Sequence, residues 1–391
     1  MNLARKIWHR GIDMLPTTGF HFDRPLVLLQ SDDWGRAGLR DHEGLKQLRS
    51  AGIMLGERPY DFYTLETAED LAALRAMLRR HRDSGGRHPC IEMNFVVANL
   101  DSARMNGDAA GPIQLLPLAE GLPAGWARPN LIEGYREGIA GGVFRPALHG
   151  TTHFCRAAVE RNVVIEGKRG KLLRSLWQAG TPYIHWRMPW IGYEYWDPEQ
   201  PDDERFLTRE SQYDLIGQAV GWFAKLFSSL PQSACAPGYR ANDDTHRAWA
   251  QHGVRVAQSG PGVPFPPHFG RHDMLHLTRT VEFEPATDAA FSLEKCLRQA
   301  ERCFEVGIPV IVSVHSINFH STVEDFRSRT LRLLDEFLSA IESKHTNVLY
   351  VHDEDVRELA FKGRCSAPHE NVILNVTRKN FVRARTPQSE A

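Results

Sequence analysis

The chain has 391 residues, a formal net charge of −1 at pH 7 and 42% hydrophobic residues, which suits one large globular domain or two ordinary ones. Because acidic and basic residues nearly balance, the chain has no overall electrostatic field that would attract nucleic acid or an anionic membrane. We therefore expect neither as a partner. No apolar run approaches the roughly 20 residues of a membrane span. No apolar core follows the basic N-terminal residues either. We predict a cytoplasmic protein without a membrane span and make no prediction of its oligomeric state.

Short apolar runs alternate with helix-like segments along the chain. The predicted strands are Leu26–Leu29, Glu92–Ala98, Val143–Leu148, Ser233–Ala236, Val254–Ala257, Leu277–Phe283, Pro309–Val314 and Val348–Val351. The predicted helices are Ala68–His81, Leu131–Ile139, Gln212–Phe227, Asp244–His252, Leu293–Val306 and Val323–Ser343. Strands separated by such helices are typical of βα units. The predicted fold class is α/β, a distorted or incomplete (β/α) barrel with mainly parallel strands and long loop insertions.

Two adjacent carboxylates, Asp32 and Asp33, follow the first predicted strand. At the end of a buried strand they would carry a large desolvation and repulsion penalty unless a cation compensates them. Two histidines, His149 and His153, follow the third predicted strand in the same way. One carboxylate with two imidazoles is a common donor set for zinc or a similar divalent ion. Because parallel strands gather such groups at one edge, we predict a hydrolytic metal site there.

Simpler interpretations stay open for each signal. Asp-Asp dipeptides are often solvated turns, and with 18 histidines in the chain a spacing of four also arises by chance. His315, at the end of the seventh predicted strand, is either a core residue or an acid for a leaving group. Arg240, after Pro237-Gly238-Tyr239, is either a surface residue or a partner that keeps Asp32 ionised.

The order of these motifs resembles that of the polysaccharide deacetylase family, the carbohydrate deacetylases with nodulation-deacetylase homology, also called carbohydrate esterase family four. The resemblance covers roughly Leu26 to Val356 and includes Asn94-Phe95-Val96-Val97 as a second strand. It implies a distorted (β/α) barrel and metal-dependent removal of N- or O-linked acetyl groups from a carbohydrate or glycan precursor.

The resemblance also implies a role for each motif residue. Asp32 would be the general base, His315 the general acid and Arg240 the residue that orients the base. Asp33, His149 and His153 would hold a divalent metal, with Zn²⁺ favoured. The Tyr239 backbone amide would help to hold the oxyanion. The predicted substrate-binding residues are Trp34, Tyr239, Trp186, Trp190 and Asn318.

The sequence departs from the family pattern in three places. The first motif has Trp34 where the family has glycine, which would reshape the mouth of the site. Arg240 follows its proline instead of preceding it. The long separation between Asp33 and His149 indicates an insertion. The predicted divisions are an N-terminal extension (1–24), one catalytic domain (25–383) with insertions at about 99–130 and 181–208, and a frayed tail (384–391).

The aromatic crowding in the second insertion fits either a small satellite core or stacking surfaces for sugar rings. Two other functions stay open. One is a carbohydrate-binding protein that retains the fold without turnover. The other is a glycosidase, which would need a further inward-facing acid such as Glu92 or Asp353.

Overall fold

The computed structural model describes residues 16–101, 112–262, 264–363 and 376–382. The predicted tail (384–391) and the first 15 residues of the predicted extension lie outside these ranges. The strands are β1 (Pro16–Phe22), β2 (Leu26–Trp34), β3 (Ile91–Val96), β4 (Ala98–Leu100), β5 (Leu115–Pro117), β6 (Phe144–Gly150), β7 (Ser233–Cys235), β8 (Val256–Ser259), β9 (His268–Phe269), β10 (Leu275–Thr278), β11 (Val281–Glu282), β12 (Val310–His315), β13 (Leu349–Tyr350) and β14 (Val376–Val382). The α-helices are α1 (His42–Ser50), α2 (Ala68–Leu78), α3 (Leu131–Ala140), α4 (Arg156–Val163), α5 (Lys168–Gln178), α6 (Arg209–Phe227), α7 (Asp243–Gln251), α8 (Leu293–Glu305), α9 (Arg327–Lys344) and α10 (Asp353–Lys362). Within the described ranges, none of the helices combines the length and the apolar character that crossing a bilayer would need.

The central strands run parallel in the order β11-β12-β2-β3-β6-β7-β8-β10, and β13 also pairs with β2. The consecutive strands β10 and β11 pair with β8 and β12 respectively, so this one segment links the two sides of the curled sheet. This topology confirms the prediction of a distorted, mainly parallel (β/α) barrel.

An antiparallel edge, β10-β9-β1-β14, extends the sheet beyond the predicted strands. Strand β1 lies within the predicted extension (1–24), and its Phe20 and Phe22 are buried. Phe20 packs edge-on against Phe269 of β9, with ring centroids 5.7 Å apart. This contact explains how a two-residue strand is held at the edge.

The predicted insertions contain little regular structure. In the first, β4 pairs with β5, and residues 102–111 lie outside the described ranges. The second contains two 3₁₀ turns, His185–Arg187 and Pro189–Ile191. Apolar members such as Ile184 and Met188 are buried in a separate core with side chains of α1, α4 and α5. The satellite-core interpretation therefore holds for these residues, while other members of the insertion line the cavity described below.

The alternation of side chains along β2 divides its residues between two environments. Val27 and Leu29 pack into the main core, whereas Leu26 and Leu28 join the apolar cluster on the inner face of the curled sheet. Gln30 continues the inner row and Asp32 ends it, both buried. The inner face is thus apolar at the start of the strand and polar at its carboxyl end. The site therefore lies at the carboxyl end of β2, where the inner face of the sheet becomes polar.

Candidate functional site

Asp32 and Asp33 both reach one cavity because the end of β2 is irregular. Asp33 has φ +75°, and the pairing of β2 with β3 loses its register between Ser31 and Trp34. This bulge breaks the alternation that would otherwise send adjacent carboxylates to opposite faces. Trp34 turns away and is fully buried: its ring stacks on Phe319, and its Nε1–H donates to Ser31 Oγ at 2.9 Å.

Asp33, His149 and His153 converge as predicted. Asp33 Oδ1 lies 3.6 Å from His149 Nε2 and 3.2 Å from His153 Nε2. Asp33 Oδ1 and His149 Nε2 are buried without a hydrogen-bond partner among the described residues. Unpaired buried polar atoms are rare, and here they face one another. The three donor atoms lie close enough together to hold a metal ion.

The other polar atoms of these side chains are already held. His149 Nδ1 donates to Cys235 O at 2.8 Å, which leaves the Nε2 lone pair free for a cation. Asp33 Oδ2 accepts from Arg36 Nη1 at 2.7 Å, so only Oδ1 is free. His153 Nδ1 lies 3.2 Å from Nδ1 of His185. Such partners fix the orientation of metal ligands in proteins.

The charge states suit metal binding. Burial opposes ionisation of Asp33, but Arg36 and the two histidines outweigh it and hold the pKa of this carboxyl well below its usual range. Burial lowers the pKa of His153 well below its usual value, and it lowers the pKa of His185 to about 3. An ionised Asp33 and a neutral His153 are in the protonation states that metal binding requires.

The loop between the two histidines is fixed by Glu194. Its carboxylate accepts from the backbone N–H of Thr151 at 2.9 Å and of Thr152 at 3.3 Å. Gly150 has φ +118°, and a Cβ there would lie 2.0 Å from Glu194 Oε2. Only glycine leaves room for this carboxylate and adopts this backbone conformation without strain.

Side chains that donate hydrogen bonds hold Asp32 in place, and the arginine among them is Arg279. Arg279 Nη1 donates to Asp32 Oδ2 at 2.7 Å and Nη2 donates to Oδ1 at 2.5 Å, a bidentate pair with both side chains buried. Asn94 Nδ2 donates to Oδ1 at 2.8 Å, and the Tyr239 hydroxyl donates to Oδ2 at 3.1 Å. Burial disfavours the charge, yet Arg279 and the nearby histidines keep the pKa of Asp32 below its usual value.

The predicted pair between Arg240 and Asp32 is therefore replaced by the pair with Arg279. The Arg240 guanidinium lies 4.7 Å from the ring centre of Trp196. The backbone N–H of Tyr239, predicted to hold an oxyanion, donates to Ala236 O at 2.9 Å within the turn. Tyr239 instead contributes its hydroxyl to Asp32.

His315 lies between two carboxylates. Its Nδ1 is 2.6 Å from Glu284 Oε1, and its Nε2 is 3.9 Å from Asp32 Oδ2. Burial lowers the pKa of His315, but Glu284 and Asp32 outweigh burial and raise it to about 9. Asn318, predicted to bind substrate, donates from Nδ2 to Glu284 Oε2 at 2.6 Å and so holds this carboxylate.

The site opens into a cavity of about 310 Å³, a size common for small-ligand sites. Its lining is Asp32, Asp33, Arg36, Tyr60, His149, His153, His185, Trp186, Tyr193, Gly238, Tyr239 and His315. Of the predicted substrate-binding residues, Trp186 and Tyr239 belong to this lining, whereas Trp34, Trp190 and Asn318 do not. Trp190 packs against the satellite core and lies 5.1 Å from the Arg169 guanidinium.

The acids considered for a glycosidase lie elsewhere. Glu92 and Asp353 line a different cavity, together with Phe144 and Gln232, and Glu92 Oε1 accepts from the Asp353 N–H at 3.0 Å. The cavity that contains Asp32 therefore receives neither carboxylate among its described lining residues.

The residues of the site that were not predicted include Arg36, His185, Arg279 and Glu284. Glu284 directly follows the predicted strand Leu277–Phe283, the same position that identified Asp32 and His315. Arg279 lies within that predicted strand, on the face of the apolar Leu277, Val281 and Phe283, and a charged residue there was itself a signal. Arg36 lies in a loop and His185 in a 3₁₀ turn, and no pattern marked them.

Among solved structures, the chain is similar to a probable polysaccharide deacetylase from Pseudomonas aeruginosa PAO1, with 12% identity over 87% of this chain and 92% of that one and a TM-score of 0.46. It is similar to the allantoinase Puue, with 11% identity over 87% and 91% and a TM-score of 0.45. It is also similar to a family 4 carbohydrate esterase from Streptomyces lividans, with 11% identity over 83% and 90% and a TM-score of 0.34. No family model and no curated protein matches the sequence. The neighbours include the family that the motifs resemble, and the activity of this chain is inferred from its own residues.

Proposed function

We propose that this protein is a metal-dependent hydrolase that removes acetyl groups from a carbohydrate. The observation that carries the proposal is the set of three facing donor atoms of Asp33, His149 and His153 beside an ionised acid that is not part of the set. Asp32 supplies that acid. A divalent cation bound by the three donors would supply Lewis-acid activation of water and of the acyl oxygen.

The residues around this set divide the proton transfers between them. Asp32 is held ionised and fixed by Arg279, Asn94 and Tyr239, so it is ready to accept a proton from the attacking water. Its lowered pKa means that it releases the proton again easily. His315, whose pKa is raised, carries a proton near neutral pH and donates it to the leaving amine or alkoxide.

The cavity supports a sugar as the substrate. Four aromatic side chains, Tyr60, Trp186, Tyr193 and Tyr239, belong to its lining and offer surfaces for the C–H faces of a sugar ring. The choice of an acetyl group follows from the resemblance of the motifs to polysaccharide deacetylases.

Acetate release from a panel of N- and O-acetylated sugars tests the proposal. We expect release by the purified protein, its loss with a chelator and its return when Zn²⁺ is added. Release that the chelator leaves unchanged contradicts metal dependence. A protein that binds the cation and the sugars but releases no acetate is instead a carbohydrate-binding protein on the same fold.

A further inference from the structure

A buried polar network lies below Asp32 on the inner face of the curled sheet. It consists of Gln30, Asn94, Ser233, Gln258, Arg279 and Asp353, each at most 4% exposed. Such a network stabilises one arrangement only when its members satisfy one another. Asp353 is the carboxylate of this network, and it is connected to Asp32 only through the other members.

Asp353 accepts hydrogen bonds from two glutamine amides. Gln30 Nε2 donates to Asp353 Oδ1 at 2.7 Å, and Gln258 Nε2 donates to Oδ2 at 2.7 Å. The Ser233 hydroxyl also donates to Oδ2. An ionised carboxylate only accepts, so all three partners must present a hydrogen to it.

The same amides turn their oxygens toward Arg279. Arg279 Nε donates to Gln30 Oε1 at 3.1 Å, and its Nη2 donates to Gln258 Oε1 at 3.1 Å. Gln258 Oε1 also accepts from Asn94 Nδ2 at 2.7 Å, the group that reaches Asp32. The two amides thus connect Asp353 to Arg279 and Asn94, two of the side chains that hold Asp32.

The two oxygens of Asp353, which accept from three donors, set the direction of these amides. If either amide were reversed, its oxygen would face the Asp353 carboxylate and its NH₂ group would face the Arg279 guanidinium. Both contacts would be repulsive in a buried site. With the amides fixed, two amide oxygens and the Asp32 carboxylate define the plane of the guanidinium.

We propose that Asp353 is a positioning residue for catalysis, which acts through the Gln30 and Gln258 amides on Arg279 and thereby orients Asp32. Asp353 does not contact Asp33, His149 or His153, the proposed ligands of the cation, and it does not line their cavity. This inference rests on the role of Asp32 in the proposed function.

Asp353→Asn tests the proposal, with Asp355→Asn as the matched control. Asparagine keeps the volume but places an NH₂ group against a glutamine or serine donor, so one amide reverses. We expect kcat to fall roughly 10- to 100-fold, as is typical when a residue that supports an active-site group is substituted. KM and the cation content should not change. Asp355 is equally buried in the same helix and pairs with Arg87 instead, so its variant should lose stability but retain kcat.

Combining Asp353→Asn with Arg279→Lys tests whether Asp353 acts through Arg279. If Asp353 acts through Arg279, adding Asp353→Asn to Arg279→Lys lowers kcat much less than it does in the wild-type protein. An equal loss in both backgrounds, or wild-type kcat in Asp353→Asn, overturns the proposal. If Asp353→Asn does not fold, Gln30→Met, which removes one connecting amide, replaces it under the same criteria.

A spectroscopic measurement separates this proposal from the proposed function. The Arg279 Nε–H signal in a ¹⁵N NMR spectrum, assigned by its absence in Arg279→Lys, should move in Asp353→Asn and stay in place in Asp355→Asn. A signal that does not move contradicts the connection whether or not the protein deacetylates sugars. A signal that moves in a protein that releases no acetate supports the connection and rejects the activity.

Discussion

Glu284 Oε1 lies 2.6 Å from Nδ1 of His315, while Nε2 of the same imidazole lies 3.9 Å from Asp32 Oδ2. The imidazole therefore has one nitrogen committed to a supporting carboxylate and the other close to the base. In the proposed mechanism Nε2 of His315 donates the proton, and Glu284 keeps the imidazole charged.

Glu284→Gln should shift the basic limb of the pH profile to lower pH. Burial lowers the pKa of His315, and Glu284 is the largest of the effects that raise it to about 9. Without that charge the pKa falls, so His315 loses its proton at a lower pH. We expect the basic limb of kcat/KM to move down by about 1 pH unit or more. Glu282→Gln, an exposed carboxylate two residues earlier, is the control, and a limb that stays in place in Glu284→Gln excludes His315 as the acid.

Arg279→Lys and Arg240→Lys should differ sharply. Lysine retains the positive charge but cannot make the two parallel hydrogen bonds that Arg279 donates to Asp32. We expect kcat to fall roughly 10- to 100-fold in Arg279→Lys. Arg240→Lys should stay near the wild type, since that guanidinium contacts Trp196. The reverse order in steady-state kinetics would restore Arg240 as the orienting residue.

His185→Phe should weaken cation binding. When His153 binds a cation through Nε2, its Nδ1 carries the hydrogen and donates to His185, an acceptor that phenylalanine lacks. We expect roughly a 10-fold loss of Zn²⁺ affinity in competition with a chromogenic chelator. Tyr193→Phe keeps the ring that stacks on His185 and serves as the control. Equal affinities in His185→Phe and the wild-type protein would show that His185 does not support the ligand.

Two glycines with positive φ should respond differently to alanine. Gly142 has φ +69° and open space around a Cβ, so Gly142→Ala should reduce the free energy of unfolding by about 1 kcal/mol through backbone strain alone. In Gly150→Ala the added carbon collides with Glu194 and displaces the loop that carries His153. We expect a larger fall in Tm and a loss of Zn²⁺ affinity. Equal effects of the two substitutions on both quantities would contradict the role of Glu194.

The residues that sequence alone placed correctly share one physical cause. Asp32, His149 and His315 each lie at the carboxyl end of a buried parallel strand, and the ends of such strands meet at one edge of the sheet. Their convergence was therefore predictable from the pattern of apolar runs. Their catalytic roles stay predictions until the experiments above are done.

The residues that sequence placed wrongly depend on local geometry or on long-range contacts. Trp34 left the cavity because Asp33 adopts a positive φ, which its residue type does not specify. Arg279 rather than Arg240 pairs with Asp32 because the segment from β10 to β11 runs from the β8 side of the sheet to β12, which lies beside β2. This is a contact between distant segments. The two-residue strand β9 has too few residues for a periodic pattern.

One signal in the sequence was informative and unused. Several strands that are otherwise apolar contain polar residues two positions apart, as in Gln30-x-Asp32 and Glu92-x-Asn94. A period of two places such residues on the same face of the sheet. This pattern predicts a polar interior beneath the catalytic edge, which is where the network around Arg279 lies.

Zinc titration of chelator-treated protein tests most directly whether Asp33, His149 and His153 hold a cation. We predict one tightly bound Zn²⁺ per wild-type chain, the same stoichiometry in Asp32→Asn without acetate release, and loss of binding in His149→Ala. His42→Ala, an exposed histidine in α1, should bind as the wild type does. Wild-type protein that binds no stoichiometric divalent ion, or His149→Ala that binds Zn²⁺ as tightly as the wild type, would contradict the account.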